Sequence, residues 1–131
     1  MMLVKTKTGL STIHSVGLFA KEFIQKGTKV WEFTEGFDLV LTKEQVKNLS
    51  EAAREQFLNY AYLSKKSGKY VLCTDDARFF NHQIPSNIVC RVPEESNVIE
   101  ALECFATKDI QPGEEITNNY EDFDADPSDV V

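Results

Sequence analysis

The feature that most constrains this chain is a six-residue pattern that occurs twice, 86 positions apart. The first copy is Phe19, Ala20, Ile24, Gln25, Gly27 and Val30, and the second is Phe105, Ala106, Ile110, Gln111, Gly113 and Ile116. Each copy predicts a strand end, a polar excursion, a turn at Lys26-Gly27 or Pro112-Gly113, and a new strand, since Pro presets φ and Gly accepts positive φ. Chance recurrence explains either copy alone but strains to explain six matches in register. We therefore expect two similar β-arches.

The segment between the arches contains one helical stretch, at about residues 42–59. Thr42 and Gln45 form a capping-box pattern, and a break near Ser50 is compatible with the spacing of the apolar residues. Further strands are predicted, and they are Leu58–Leu63 paired with Lys69–Thr74 as a hairpin, Ile88–Val92, and a central Val98–Ala106. The expected fold is a single α+β domain over residues 1–131, mostly β, with its core at about 10–120. The acidic tail at 121–131 is expected to be irregular or frayed unless it packs over a site.

The composition limits the kinds of binding partner and the cellular compartment that we expect for this chain. The 131 residues carry 14 Lys and Arg against 21 Asp and Glu, a net charge of −7 that argues against nucleic-acid binding. The charge suits a basic protein or peptide partner, although charge alone favours the simpler explanation that the chain is acidic for solubility. No apolar run predicts a membrane span or a signal peptide, so we expect a cytoplasmic or nuclear protein without membrane contact. An effector exported without a cleavable signal would look the same.

The cysteines predict neither a metal site nor a disulfide. Cys73, Cys90 and Cys104 are odd in number, widely spaced and free of any Cys-x-x-Cys pattern. His82 has no second histidine nearby that could complete a metal site. A chain of this length can bury a sufficient core without such links, so reduced thiols and no bound metal are expected.

Polar and aromatic residues are densest at residues 75–87. Asn81 and Asn87 supply amide donors and acceptors, and His82 can donate from one ring nitrogen while accepting at the other. Taken alone, the segment is explained by a tight turn stitched by hydrogen bonds from side chains to the backbone.

In its context, this stretch resembles the Arg-Phe-x-Asn-His motif of SET domains. The chain also has a Gly-Leu-Phe-Ala start near Gly17 and a Gly-Glu-Glu-Ile-Thr-x-x-Tyr stretch at residues 113–120, in the order that this family shows. SET domains are protein-lysine methyltransferases that use S-adenosylmethionine. The resemblance covers about residues 10–120 and implies a small β fold with a knot-like C-terminal segment, here without flanking zinc modules.

The resemblance assigns a cofactor site on two segments. Its first loop would contain Ser15, Val16 and Gly17, where Ser15 replaces a usual glycine and so demands an ordinary φ. The remaining cofactor residues would be Arg78, Asn81 and His82. The Asn81 amide would bind the charged amino-acid portion, and backbone around His82 would hold the adenine. A plain turn at the first loop and a structural ion pair of Arg78 with Asp75, Asp76 or a tail carboxylate are the alternatives.

Tyr120 matches the tyrosine that the family uses for catalysis, the alternative being a core aromatic at a strand end. Tyr60 and Tyr62, two apart in a predicted strand, would share a face and line a lysine channel, or else pack on the helix. Phe123 would close that channel.

The implied function is methylation of a lysine side chain in a histone or another basic protein. A rival from a different class is a SET-like module that grips a basic peptide without turnover, which the departures at Ser15 and Gln83 motivate. Pairing of two chains into a homodimer that completes the substrate groove is a further expectation from the resemblance.

Overall fold

The computed structural model describes residues 1–126. Its strands are β1 (Thr6–Leu10), β2 (Val16–Ala20), β3 (Lys29–Glu32), β4 (Leu39–Leu41), β5 (Tyr62–Leu63), β6 (Tyr70–Leu72), β7 (Asn81–His82), β8 (Ile88–Arg91), β9 (Glu103–Ala106) and β10 (Thr117–Asn118). Its helices are α1 (Lys43–Lys47) and α2 (Glu51–Tyr60), with short 3₁₀ turns at Asp76–Phe79 and Tyr120–Asp122. The predicted α+β, mostly β fold is confirmed.

The two sequence repeats form two arches that bond to each other. Ile24 and Ile110 each donate an amide hydrogen bond to the other's carbonyl, at 2.9 and 2.8 Å. The backbone hydrogen bonds around this pair are also matched between the arches. Ala20 of the first arch bonds to the second arch in the same way as Ala106 of the second arch bonds to the first. Both turn glycines, Gly27 and Gly113, have positive φ, at 89° and 90°. Both central isoleucines are buried, so the repeat forms the middle of the apolar core.

Four small sheets surround this core. β1 pairs with β2, β9 lies between β3 and β8, and β6 lies between β4 and β5, all antiparallel. β7 and β10 form the fourth sheet and are parallel. The prediction that residues 98–106 make a central strand is right for its second half only. Its first half forms turns, because only residues 103–106 pair with the neighbouring strands β3 and β8.

The helical insert has the predicted start and the predicted break. The Thr42 side chain accepts from Gln45 N–H, the Gln45 side chain accepts from Thr42 N–H, and Ser50 caps a second helix. This helix continues to Tyr60, so the prediction of a strand from Leu58 is wrong at its first residues. The α2 backbone bonds continue through Phe57 to Ala61, and only Tyr62 and Leu63 pair with β6.

Cys90 and Cys104 form a disulfide, which overturns the prediction of reduced thiols without a disulfide. They are register partners on the adjacent strands β8 and β9, and both are buried. The pairing follows from strand register, which spacing along the chain does not reveal. Cys73 is a free, buried thiol.

The acidic tail is ordered as far as it is described. The Ala125 N–H donates to the Leu63 carbonyl, and Asp122 accepts from the Cys90 N–H. Residues 121–126 are therefore packed rather than frayed, because these hydrogen bonds attach them to β5 and β8. Residues 127–131 lie outside the described residues. Among residues 1–126, no helix is long and apolar enough to cross a membrane, and no cluster of three metal-ligating side chains occurs.

Candidate active site

Two distant motifs meet where β7 and β10 lie side by side. Asn81 is the partner of Thr117 in this parallel pair, and His82 is the partner of Asn118. The pairing brings the polar turn of residues 75–87 against the strand that leads into Tyr120. Both segments approach through buried residues, since Asn81, Thr117 and Asn118 are each less than a tenth exposed.

The Asn81 side chain ties the first loop to this junction. Its Nδ2 donates to the carbonyls of His14 and Val16, at 3.1 and 3.2 Å, and to Glu115 Oε2 at 2.8 Å. Its Oδ1 has no partner among residues 1–126. The Asn81 side chain therefore does hydrogen-bond to the backbone, as the sequence predicts for a tight turn. Its backbone partners, however, lie 65 residues or more away along the chain.

His82 and Asn87 hold the other segment. The Tyr120 N–H donates to His82 Nδ1 at 3.0 Å, which assigns the ring hydrogen to Nε2 when the ring is neutral. Asn87 donates to the Glu115 carbonyl and accepts from the Thr117 N–H, both at 2.8 Å. The imidazole therefore orients Tyr120, and Asn87 fixes the strand that precedes it.

The first loop has the conformation that glycine usually supplies. Ser15 has φ +37°, so the prediction that serine demands an ordinary φ here is wrong. The reason is tertiary: Ser11 N–H bonds the Ser15 carbonyl, and Asn81 holds the carbonyls on either side of Ser15. Gly17 lies in β2, where an added Cβ would be 2.4 Å from Glu115 Oε2.

A first cavity opens between the two held segments. Its lining includes Ser15, Val16, Asn81, His82 and Tyr120, five of the residues that the sequence assigns to cofactor or catalysis.

Gly17 does not line this cavity and instead underlies Glu115. Arg78 lines the cavity and forms no ion pair with any of residues 1–126, so the ion-pair alternative is wrong for Asp75, Asp76 and the described part of the tail. The Asp75 carboxylate oxygens instead accept from the Met2 and Ala77 amides. The tail carboxylate of Asp129 lies outside the described residues.

A second, largely apolar cavity also borders Tyr120. Tyr62 and Phe123 meet edge to face at 4.9 Å, and Phe123 meets Tyr120 at 5.9 Å, so two predicted channel residues and the predicted catalytic tyrosine form one aromatic wall. Tyr60 lines both cavities from the end of α2, where its ring packs on Phe79. The premise that Tyr60 and Tyr62 share a strand face is wrong, because Tyr60 is helical.

The two cavities meet at a shared wall. Both are lined by Asn59, Tyr60, Arg78, Phe80 and Tyr120. The Tyr120 hydroxyl lies at this wall and donates to the Phe80 carbonyl at 2.6 Å. Burial, with a smaller contribution from the Asp124 charge, raises the pKa of Tyr120 to about 12, so the hydroxyl keeps its proton at neutral pH.

Several residues that line the second cavity have buried polar atoms without hydrogen-bond partners among the described residues. Asn118 Oδ1 and Trp31 Nε1 belong to lining residues that are 4% and 2% exposed, and neither atom has a hydrogen-bond partner within residues 1–126. The Tyr62 hydroxyl also lacks one, and burial raises its pKa well above the usual value. Buried polar groups of this kind are costly unless a ligand or water satisfies them.

Sequence reasoning missed several of these residues. Glu115 and Asn118 lie inside a quoted motif, but only the fold shows that one joins two segments and the other faces a cavity. Asp124 is buried at the rim of the second cavity, and its Oδ1 accepts from the Leu63 N–H. The signal that was available is the density of polar residues flanking Tyr120.

Comparison with known proteins adds independent findings. A family model described as SET domain matches residues 15–121. The chain is 31% identical over 115 residues to histone-lysine N-methyltransferase set9 of Aspergillus terreus, covering 86% of this chain and 17% of that protein. Polycomb Repressive Complex 2 of Chaetomium thermophilum bound to GSK126 matches with TM-score 0.71 and 25% identity, over 95% of this chain and 17% of that one. A ctPRC2 structure bound to S-adenosylmethionine matches with TM-score 0.68 and 24% identity, over 92% and 16%. The chain thus spans about a sixth of these relatives.

Proposed function

Because this chain belongs to the SET-domain family, we propose that it transfers a methyl group from S-adenosylmethionine to a lysine side chain of a protein. The observation that carries this proposal is the meeting of two cavities at Tyr120. One cavity is lined by several polar side chains, and the other is walled by aromatic rings. A reaction that brings a donor and an acceptor together needs two adjoining binding spaces of this kind.

The residues of the first cavity fit the proposed cofactor. The Asn81 Oδ1 is an acceptor without a partner among the described residues, which suits an α-ammonium group. The Arg78 guanidinium, also unpaired there, suits an α-carboxylate. When bound, the cofactor supplies a methyl group that its sulfonium already activates for displacement. Ser15, Val16 and the backbone at His82 would complete the binding surface.

The chain's own residues then have to position and desolvate the amine. A lysine ammonium has a reference pKa of about 10.4 and no lone pair for attack, so the site must favour the neutral amine. The aromatic wall of Tyr62, Tyr120 and Phe123 disfavours charge by removing water, while it still admits the cation in transit through cation–π contact. The protonated Tyr120 hydroxyl, held by Phe80, is a fixed dipole that orients the reacting atoms.

The substrate that we propose is a lysine in a basic protein or peptide segment, histones included. The net charge of −7 favours a basic partner, and the related protein from Aspergillus terreus is named as acting on histone lysine. This substrate class places the activity inside the cell, in the cytoplasm or nucleus. The homodimer expected from the resemblance stays a prediction that sedimentation of the full chain would test.

The test compares methyl transfer by the wild type and by Tyr120→Phe on core histones and on a panel of other lysine-rich proteins. Loss of one positioned hydroxyl should lower the rate about 100-fold or more, while calorimetry shows cofactor affinity within about 3-fold. A wild type that transfers no methyl group above the Tyr120→Phe control would overturn the proposal. Binding of a basic peptide without any binding of S-adenosylmethionine would favour the rival peptide-binding module instead.

A further inference from the structure

Glu115 receives hydrogen bonds from both segments that border the first cavity. Ser11 Oγ, from the loop between β1 and β2, donates to both carboxylate oxygens, at 2.7 and 2.9 Å. Asn81 Nδ2, from the other segment, donates to Oε2 at 2.8 Å. Hydrogen bonds to an ionised carboxylate are among the strong ones in proteins. One side chain therefore clamps two segments that lie 70 residues apart in the sequence.

The clamp reaches the loop backbone through Ser11. The same hydroxyl that donates to Glu115 accepts from the Ile13 and His14 amides, at 2.9 and 3.3 Å. The loop must reach the positive φ of Ser15, a conformation that is unfavourable for a non-glycine residue. Contacts from Ser11 and Asn81 are what hold the loop there.

The clamp also decides which way the Asn81 amide points. A carboxylate only accepts, so Glu115 selects the orientation that turns Nδ2 toward it and leaves Oδ1 without a protein partner among the described residues. The two carbonyls of His14 and Val16 select the same orientation. Asn81, which lines the cavity, thereby keeps an acceptor rather than a donor free of protein partners among the described residues.

We infer that Glu115 is a positioning residue that sets the Asn81 amide and the first loop for a ligand carrying an ammonium group. The inference rests on the proposed function for the identity of that ligand, the cofactor's α-ammonium. Its local part, the ordering of the loop, is independent of any ligand. Glu115 acts through Asn81 and Ser11 and is absent from the lining of the cavity.

If Glu115 were merely structural, its substitution would weaken the binding of all ligands alike. The test therefore uses two adenosine ligands that differ in the amino-acid portion. S-adenosylhomocysteine carries the ammonium and carboxylate, and 5′-methylthioadenosine lacks both. In the full chain, Glu115→Gln should weaken S-adenosylhomocysteine about 10-fold or more and 5′-methylthioadenosine less than about 3-fold, by calorimetry. Equal losses for both ligands, or no loss for either, would overturn the assignment.

Glu114→Gln is the matched control, because it makes the same charge change at the next residue. Glu114 accepts from the Gln111 N–H at the second arch turn and lines neither cavity. It should bind both ligands as the wild type does. Should Glu115→Gln fail to fold, Ser11→Ala removes one half of the clamp and should weaken S-adenosylhomocysteine about 3-fold or more. Wild-type affinity in Ser11→Ala would then overturn the assignment.

Hydrogen exchange separates this inference from the proposed function. In the ligand-free protein, the Ile13 and His14 amides should exchange about 10-fold faster in Glu115→Gln than in Glu114→Gln, since their acceptor loses its anchor. Unchanged exchange would overturn the loop-ordering role even if the cofactor binds. Absence of binding of either ligand to the wild type, with the exchange difference present, would instead overturn the proposed function and leave the clamp standing.

Discussion

Gly17→Ala tests whether the Glu115 carboxylate is fixed in place above β2. An added Cβ would lie 2.4 Å from Glu115 Oε2 and 3.0 Å from Ser11 Cβ, well inside van der Waals contact. This clash can be relieved in two ways. A shift of β2 costs about 1–3 kcal/mol, and movement of Glu115 loses charge-assisted hydrogen bonds that contribute about 1.5–3 kcal/mol each. We therefore expect a loss of about 3 kcal/mol, which in a chain of this size lowers Tm by roughly 12 °C.

The assay is urea and thermal unfolding followed by circular dichroism, with Gly9→Ala as the matched control. Gly9 is the register partner of Gly17, and its added Cβ would meet only the Phe19 ring, at 3.2 Å. That ring is at the end of a side chain, so the control should cost less than about 1 kcal/mol. In a Glu115→Ala background, Gly17→Ala should also cost less than about 1 kcal/mol. Equal costs for the two glycines, or no rescue by Glu115→Ala, would refute the reasoning.

Three further predictions follow from single features. Ser15→Gly should raise stability by up to about 1 kcal/mol, since glycine adopts positive φ freely, whereas Ser15→Ala should give no gain; a clear loss in Ser15→Gly on thermal unfolding contradicts this. Reduction should lower stability by about 3 kcal/mol, because the Cys90–Cys104 link closes a loop of sequence separation 14, and Tm unaffected by dithiothreitol would speak against the link. Burial raises the pKa of Tyr120 from its usual value of about 10 to about 12, which stabilises the folded state at pH values below 10. This stabilisation is lost as the pH rises from 10 to 12. Over that window Tyr120→Phe should lose stability less steeply than the wild type, by one proton equivalent, and parallel curves would contradict the buried hydroxyl.

Local signals in the sequence were enough for several elements. The Thr42 capping box, the cap at Ser50 and the turn glycines at Gly27 and Gly113 depend on residues within a few positions of each other, and the structure has all of them. The repeat predicted two arches for the same reason. The motifs around Asn81 and Tyr120 could be recognised from the sequence because their combinations of residue types are uncommon.

Other features were decided by contacts between distant segments. The end of α2 at Tyr60, the Cys90–Cys104 link and the left-handed Ser15 each contradict a local expectation, because strand register or a remote side chain overrides it.

Residue types and their spacing along the chain thus determined the elements, the arches and the family resemblance. Only the tertiary structure decided that Asn81 faces the first loop, that Glu115 joins two segments, and that two cavities meet at Tyr120. The physical reason is that a side chain's partners are set by parallel and antiparallel pairing across the chain, and a parallel pair such as β7 and β10 leaves no short-range pattern in the sequence.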